Sequence, residues 1–132
     1  KVEGDSASVA EVIAMISALS KIPVNQNIAV TGSINQFGDV QPIGGVNDKI
    51  EGFFNVCNSI DTYKGKGVLI PESNLDEVIL NPNVEEAINN GDFVIYTMEN
   101  ISDAIMVLLG NNETSFEDIA ASIDREIKKY KN

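Results

Sequence analysis

Two positions in this sequence could do chemistry. Gly4-Asp5-Ser6-Ala7-Ser8 sets a serine just after a glycine and just before a strongly periodic apolar stretch. A serine at the mouth of a helix lies near the helix's first unpaired N–H groups, which can stabilise an oxyanion. That is the chemistry of acyl transfer. The pattern is not the G-x-S-x-G elbow, because Ser8 stands where the second glycine belongs. Taken alone, it reads more readily as a helix cap formed by Asp5, Ser6 or Ser8.

The composition narrows what could activate such a serine. The chain has one cysteine and no histidine, so it cannot build a Ser-His-Asp or Cys-His machine by itself. The same counts exclude a disulfide within the chain and leave a zinc site without its usual ligands. A base for acyl transfer must then be another residue, and Lys49 is the candidate.

With Val46, Ile50, Phe53 and Cys57 as the buried stripe of its helix, Lys49 falls about 40° to the stripe's edge at roughly 100° per residue. There an amine could turn into a cleft; taken alone, the position reads more readily as a snorkelling surface lysine. A lysine serves as base near neutral pH only if its pKa falls about three units from about 10.4. Desolvation against apolar neighbours can supply that shift, and a serine with a desolvated lysine needs no histidine.

Other candidates are supporting ones. Thr31, in Val30-Thr31-Gly32-Ser33, ends an apolar strand and could orient a lysine amine, or simply satisfy the strand end. Glu3 could line a cleft near Ser6, or be a solvated terminal charge. Cys57 lies on the apolar stripe and reads as core. The stretch from Gly44 to Lys49 lacks the spacing of a phosphate loop, so nothing here binds ATP by a recognisable motif.

The elements that must position these residues follow from periodicity. Val9, Val12, Ile13, Ile16 and Leu19 recur at helical spacing from Ala7 to Lys21, with a Ser8…Glu11 capping pattern, and Ile22-Pro23 ends the helix. Ile28 to Ile34 reads as one buried strand and Val40 to Ile43 as a short second one. A helix is expected from about Val46 to Asn58, and a strand over Val68–Pro71. Helical turns are expected at Leu75–Leu80 and Val84–Asn90, a strand at Phe93–Tyr96, and a helix at Ile101–Leu109 introduced by Asn100. A last helix from Phe116 to Tyr130 has a Ser115…Asp118 cap, with acids early and lysines late. Alternating strands and helices argue for an α/β, layered (α+β) domain.

The totals fit one globular domain: 132 residues, 43% hydrophobic and 22% charged. The longest apolar run, Val12 to Ile16, is far short of a membrane span. A net charge of −11 disfavours nucleic-acid and membrane-surface binding by this segment. The opening Lys1-Val2-Glu3-Gly4-Asp5, without an initiator Met, reads as a fragment, a processed product or part of a longer chain.

Four motifs in register resemble the proteolytic domain of Lon proteases, nearer to the archaeal-type, LonB-like branch than to the common bacterial one. Gly4-Asp5-Ser6-Ala7-Ser8 is similar to that branch's catalytic-serine motif, and Val30-Thr31-Gly32-Ser33 to its threonine-glycine strand. Pro42-Ile43-Gly44-Gly45-Val46…Lys49 is similar to the motif with the catalytic lysine, and Val68-Leu69-Ile70-Pro71 to the strand that follows. The likeness runs from Glu3 to about Leu109. Glu3 stands where an aspartate is usual.

This resemblance implies a Lon proteolytic-domain fold, of the ribosomal protein S5 domain 2-like type, over residues 1–110, with 111–132 as a C-terminal helical extension. It implies that family strands preceding the serine motif are missing from this sequence. It further implies a serine endopeptidase with Ser6 as nucleophile, Lys49 as base, Thr31 as its aid and Glu3 at the cleft. The substrates implied are unfolded or damaged proteins in cytoplasmic quality control. The implied assembly is a homo-hexameric ring driven by an AAA+ ATPase module outside this chain, which would bring ATP and magnesium; this segment needs no cofactor of its own. The competing expectation is a non-catalytic or unassembled Lon-like binding or assembly module. Such domains occur in bacterial DNA-repair ATPases and magnesium-chelatase-like proteins, but those relatives lack the Ser-Lys pair.

Overall fold

A computed structural model describes residues 7–110 and 124–125 of the chain. Strands β1 (Ala7–Ser8), β3 (Ser33–Ile34) and β4 (Val40–Gln41) form a small antiparallel sheet in the order β1-β3-β4. Strands β2 (Ile28–Val30), β5 (Lys66–Pro71) and β6 (Phe93–Met98) form a parallel sheet with β5 at its centre. The helices are α1 (Val9–Ser20), α2 (Val46–Ile60), α3 (Pro82–Asn89) and α4 (Ile101–Leu108). A 3-10 helix, Glu72–Glu77, follows β5 directly.

Topology decides which helix lies on which face. The crossovers from β2 to β5 and from β5 to β6 step the same way across the sheet. Right-handed connections therefore put α2 and α3 on one face. The burial pattern agrees. Val68 and Ile70 of β5 and Phe93 of β6 pack with Val46, Ile50 and Phe54 of α2 and Val84 and Ala87 of α3. Leu69 and Met98, pointing the other way, pack with Val9 and Ile13 of α1 and Ala104, Ile105 and Leu108 of α4. Side chains of a strand alternate between faces, so β5 supplies both cores at once.

Gly67 has its own reason. A Cβ there would lie 2.6 Å from the Val94 carbonyl oxygen and 3.0 Å from the Tyr96 ring. A glycine at that place lets β6 approach closely. Gly67→Ala should lower stability by about 1–3 kcal/mol. The check is the urea midpoint of the variant, which would be unmoved if β6 could shift freely.

Several expectations need correction. The run Ile28–Ile34 is not one strand: it breaks at Thr31-Gly32 and feeds two sheets. Gly32 has φ +104°, and a Cβ there would meet Pro71 at 3.2 Å, so the break uses a conformation glycine tolerates. Helix α1 starts at Val9 rather than Ala7. Ser8 is its N-cap in extended backbone, with its Oγ accepting from the Glu11 N–H at 3.2 Å, and Ala7–Ser8 pairs with Ser33–Ile34 instead. In α2 the fully buried aromatic is Phe54, not Phe53, which is half-buried. The second strand stops at Gln41, α2 runs on to Ile60, and the turn after Pro71 is 3-10 and begins earlier, at Glu72.

Other expectations match. Asn100 caps α4, its Oδ1 accepting from the Asp103 N–H at 3.1 Å, while the Asp103 carboxylate accepts from the Glu99 N–H at 2.8 Å. Helix α3 begins at Pro82, two residues before the expected Val84, at a position where the proline's missing N–H costs nothing. Cys57 is buried among the core side chains; burial pushes its thiol pKa up, with the Lys66 charge opposing. The expected helix over Phe116–Tyr130 lies outside the described residues, apart from Asp124 and Arg125, which are helical. Among the described residues no helix is long and apolar enough to cross a membrane.

Candidate functional site

The three strands of the parallel sheet all end at the same edge, where ligands of such sheets commonly bind. Thr31 follows β2 there. Its N–H donates to the Leu69 carbonyl of β5 at 3.1 Å, and its hydroxyl donates to the same oxygen at 3.3 Å. This is the strand-end satisfaction weighed above, and it fixes Thr31 against the central strand. The next residue, Gly32, accepts from the Val9 N–H at 3.0 Å, tying the start of α1 to the same corner.

Ser6 and Glu3 lie outside the described residues; Ala7, directly after Ser6, is in β1. The start of α1 is less open than the sequence suggested. The Val9 N–H goes to Gly32 and the Glu11 N–H to the Ser8 hydroxyl, so two first-turn donors are already engaged.

Lys49 lies in the first turn of α2, and its side chain is exposed. The helix is entered through Gly45, left-handed with φ +67°, whose carbonyl accepts from the Lys49 N–H at 3.1 Å. Val46, Ile50, Phe54 and Cys57 are buried on one side of α2, which sets the rotation of the helix and leaves Lys49 beside the buried stripe.

Two asparagines that the sequence reading passed over hold this helix entry. Asn74, wholly buried, accepts from the Ile43 N–H through Oδ1 and donates to the Ile43 carbonyl through Nδ2, both at 2.9 Å. Asn47 donates to the Glu77 carbonyl at 3.0 Å and accepts from the Ile79 N–H at 2.9 Å. The signal available in sequence was slight: asparagines near the ends of two predicted elements.

Two cavities flank the corner. One, of about 270 Å³, is lined by Val40, Glu72, Ser73, Met98 and Glu99 at the sheet's carboxyl edge. The other, of about 340 Å³, is lined largely by Ala7, Val12, Ile34 and Ile101, and so begins at the residue after Ser6. Neither has Lys49 or Thr31 among its described lining residues. Among the described residues no group of three His, Cys, Asp or Glu is placed to hold a metal ion.

The fold is a mixed α/β domain of helices on two small sheets, with Thr31 fixed at the corner of the parallel sheet and Lys49 in the first turn of α2. Residues 1–111 match the family model of the Lon protease (S16) C-terminal proteolytic domain, and the chain belongs to that family. It is 47% identical over 109 residues to a putative Lon protease homolog of Escherichia coli, covering 83% of this chain and 19% of that protein. A putative Lon protease homolog of Haemophilus influenzae is 45% identical over 112 residues, covering 85% and 19%. An archaeal Lon protease of Pyrococcus abyssi is 40% identical over 116 residues, covering 88% and 10%. The chain thus spans about a fifth or less of the length of these relatives.

Proposed function

We propose that this chain supplies the peptide-bond-cleaving part of a Lon-type serine endopeptidase, acting on unfolded or damaged proteins in the cytoplasm. In this reading Ser6 Oγ attacks the substrate carbonyl carbon while Lys49 Nζ takes its proton. The proton then passes to the leaving amine as the C–N bond breaks, leaving an acyl ester on Ser6. Water, deprotonated by Lys49 Nζ, then attacks the ester carbonyl; the C–O bond to Ser6 breaks, the proton returns from Lys49 to Ser6 Oγ, and the second product leaves as a carboxylic acid. Thr31 supports the lysine side of the site and Glu3 its entrance. Residues 1–110 make up the proteolytic unit, with the ribosomal protein S5 domain 2-like fold, and 111–132 an extension. An ATPase module elsewhere, using ATP and magnesium, unfolds substrates and feeds them in, in a hexameric ring.

The observation that carries this reading is the family match over residues 1–111, which takes in both Ser6 and Lys49 in a chain with no histidine. It is tested by an activated peptide ester and the full-length protein. A burst of product is expected, with the acyl group recovered on the peptide containing Ser6 after acid quench. An acyl group on another residue sinks the assignment.

One observation favours a second reading, in which the pair is not assembled for catalysis: Lys49 is exposed and the Thr31 hydroxyl is spent on the Leu69 carbonyl. On that reading the ester gives neither burst nor turnover.

A further inference from the structure

We propose that Asn74 is a positioning residue for Lys49, an inference that rests on the Ser-Lys reading above. The lysine helix is reached through Pro42-Ile43-Gly44-Gly45, and its two glycines give it little grip of its own. A Cβ placed on either Gly44 or Gly45 would meet no heavy atom within 4 Å. Two consecutive glycines with open space around them leave many backbone conformations accessible. Something else must choose one.

The choice is made at Ile43, whose N–H and carbonyl both pair with the Asn74 side chain at 2.9 Å. A primary amide presenting donor and acceptor in one plane mimics a neighbouring strand, so it fixes the peptide's orientation as well as its distance. Asn74 is wholly buried, and Nδ2 also approaches Glu77 Oε1 at 3.4 Å, so its amide is held in one orientation. Asn47, within the first turn of α2, is bound to Glu77 and Ile79 at the far end of the same segment. The lysine helix is therefore held at two points by the segment that follows β5.

That segment grows out of the strand whose Leu69 carbonyl holds Thr31. From Leu69 to Ile79, one stretch of chain sets both the threonine corner and the lysine helix. Asn74 acts through this stretch and touches no reacting atom. Its loss should shift the Lys49 amine relative to the serine without changing substrate contacts, and a misplacement on the order of 1 Å can cost about 100-fold in rate.

The experiment measures kcat and KM for peptide hydrolysis by full-length protein bearing Asn74→Ala or Asn74→Asp. The aspartate keeps the size and the acceptor but loses the donor to Ile43. For each, kcat per folded molecule should fall about 10- to 100-fold with KM held within about twofold. Val84→Ala, in the core beside α2, serves as a control that is destabilised but keeps its kcat. If both Asn74 variants fold and retain wild-type kcat, the inference is overturned and Asn74 is a structural tie only. If neither folds, Asn47→Ala loosens the same segment from the helix's outer side; a lowered kcat supports the proposal and an unchanged one overturns it. Lys49→Ala separates the two failures. A fully active Lys49→Ala protein overturns the Ser-Lys reading and this inference together. An inactive one beside fully active Asn74 variants overturns this inference alone.

Discussion

Replacing Lys49 with alanine is expected to cut peptide hydrolysis by about 10²–10⁴-fold, the usual contribution of a positioned general base. The chain has no histidine that could take the proton of Ser6 Oγ in its place. Ser6→Ala should cost at least as much, because it removes the proposed nucleophile, and the double variant should be little worse than either single one. Residues that act as one catalytic unit are non-additive in that way. The measurement is kcat/KM of the three full-length variants on one fluorogenic peptide. Losses that multiply in the double variant would mean that the two residues act separately. Retained folding must accompany the result, and Lys49 favours it: an exposed first-turn lysine contributes little burial to α2.

The second large effect is on stability. Phe93 is wholly buried at the start of β6, with its ring 5.2 Å from that of Phe54 in an edge-on arrangement and 6.4 Å from that of Phe53. Phe93→Ala should cost about 3–5 kcal/mol, combining lost transfer energy with the cavity left behind. The cavity would open between β6 and α2, where Val68 and Ile70 are also wholly buried and have no solvent-facing room to relax. Phe53→Ala should cost clearly less, since Phe53 is half-buried. Urea unfolding of both variants measures the difference. Equal losses would show that α2 is rotated relative to the arrangement described.

Much of the architecture was legible because its determinants are local. Helical spacing located α1, α2 and α4, and Ser8 and Asn100 marked the starts of α1 and α4 with side chains suited to a helix entry. The order of strands and helices announced an α/β domain. What stayed hidden depends on distant partners. Nothing within Ile28–Ile34 says that a side chain at position 32 would crowd Pro71, a residue far along the chain. Periodicity alone could not choose between the adjacent Phe53 and Phe54, because a helix rotation on the order of a few tens of degrees exchanges their roles, and that rotation is set by β5 and β6.

The site divides along the same line. Ser6, Thr31 and Lys49 stand out as candidates because residue type and motif spacing are written in sequence. The two ties made by Asn74 and Asn47 could not, since each spans about thirty positions and an asparagine's partners are not encoded beside it. Thr31 shows the remaining gap: the sequence offered two uses for its hydroxyl, and the described geometry spends it on Leu69.

The central place of β5 also bears on the order of events during synthesis. Its edge neighbour β2 emerges from the ribosome long before it, and the pairs Ile28↔Gly67 and Val30↔Leu69 join positions far apart in the chain. Closing so long a loop costs entropy before any pairing rewards it, which makes parallel sheets slow to form. Until Lys66–Pro71 is made, neither hydrophobic cluster has its middle layer, and α1 has nothing to fold onto across the sheet. A nascent chain of this domain therefore passes through a stage with apolar helix faces uncovered, the interval in which a growing polypeptide is most open to chaperones and to mispairing with its neighbours.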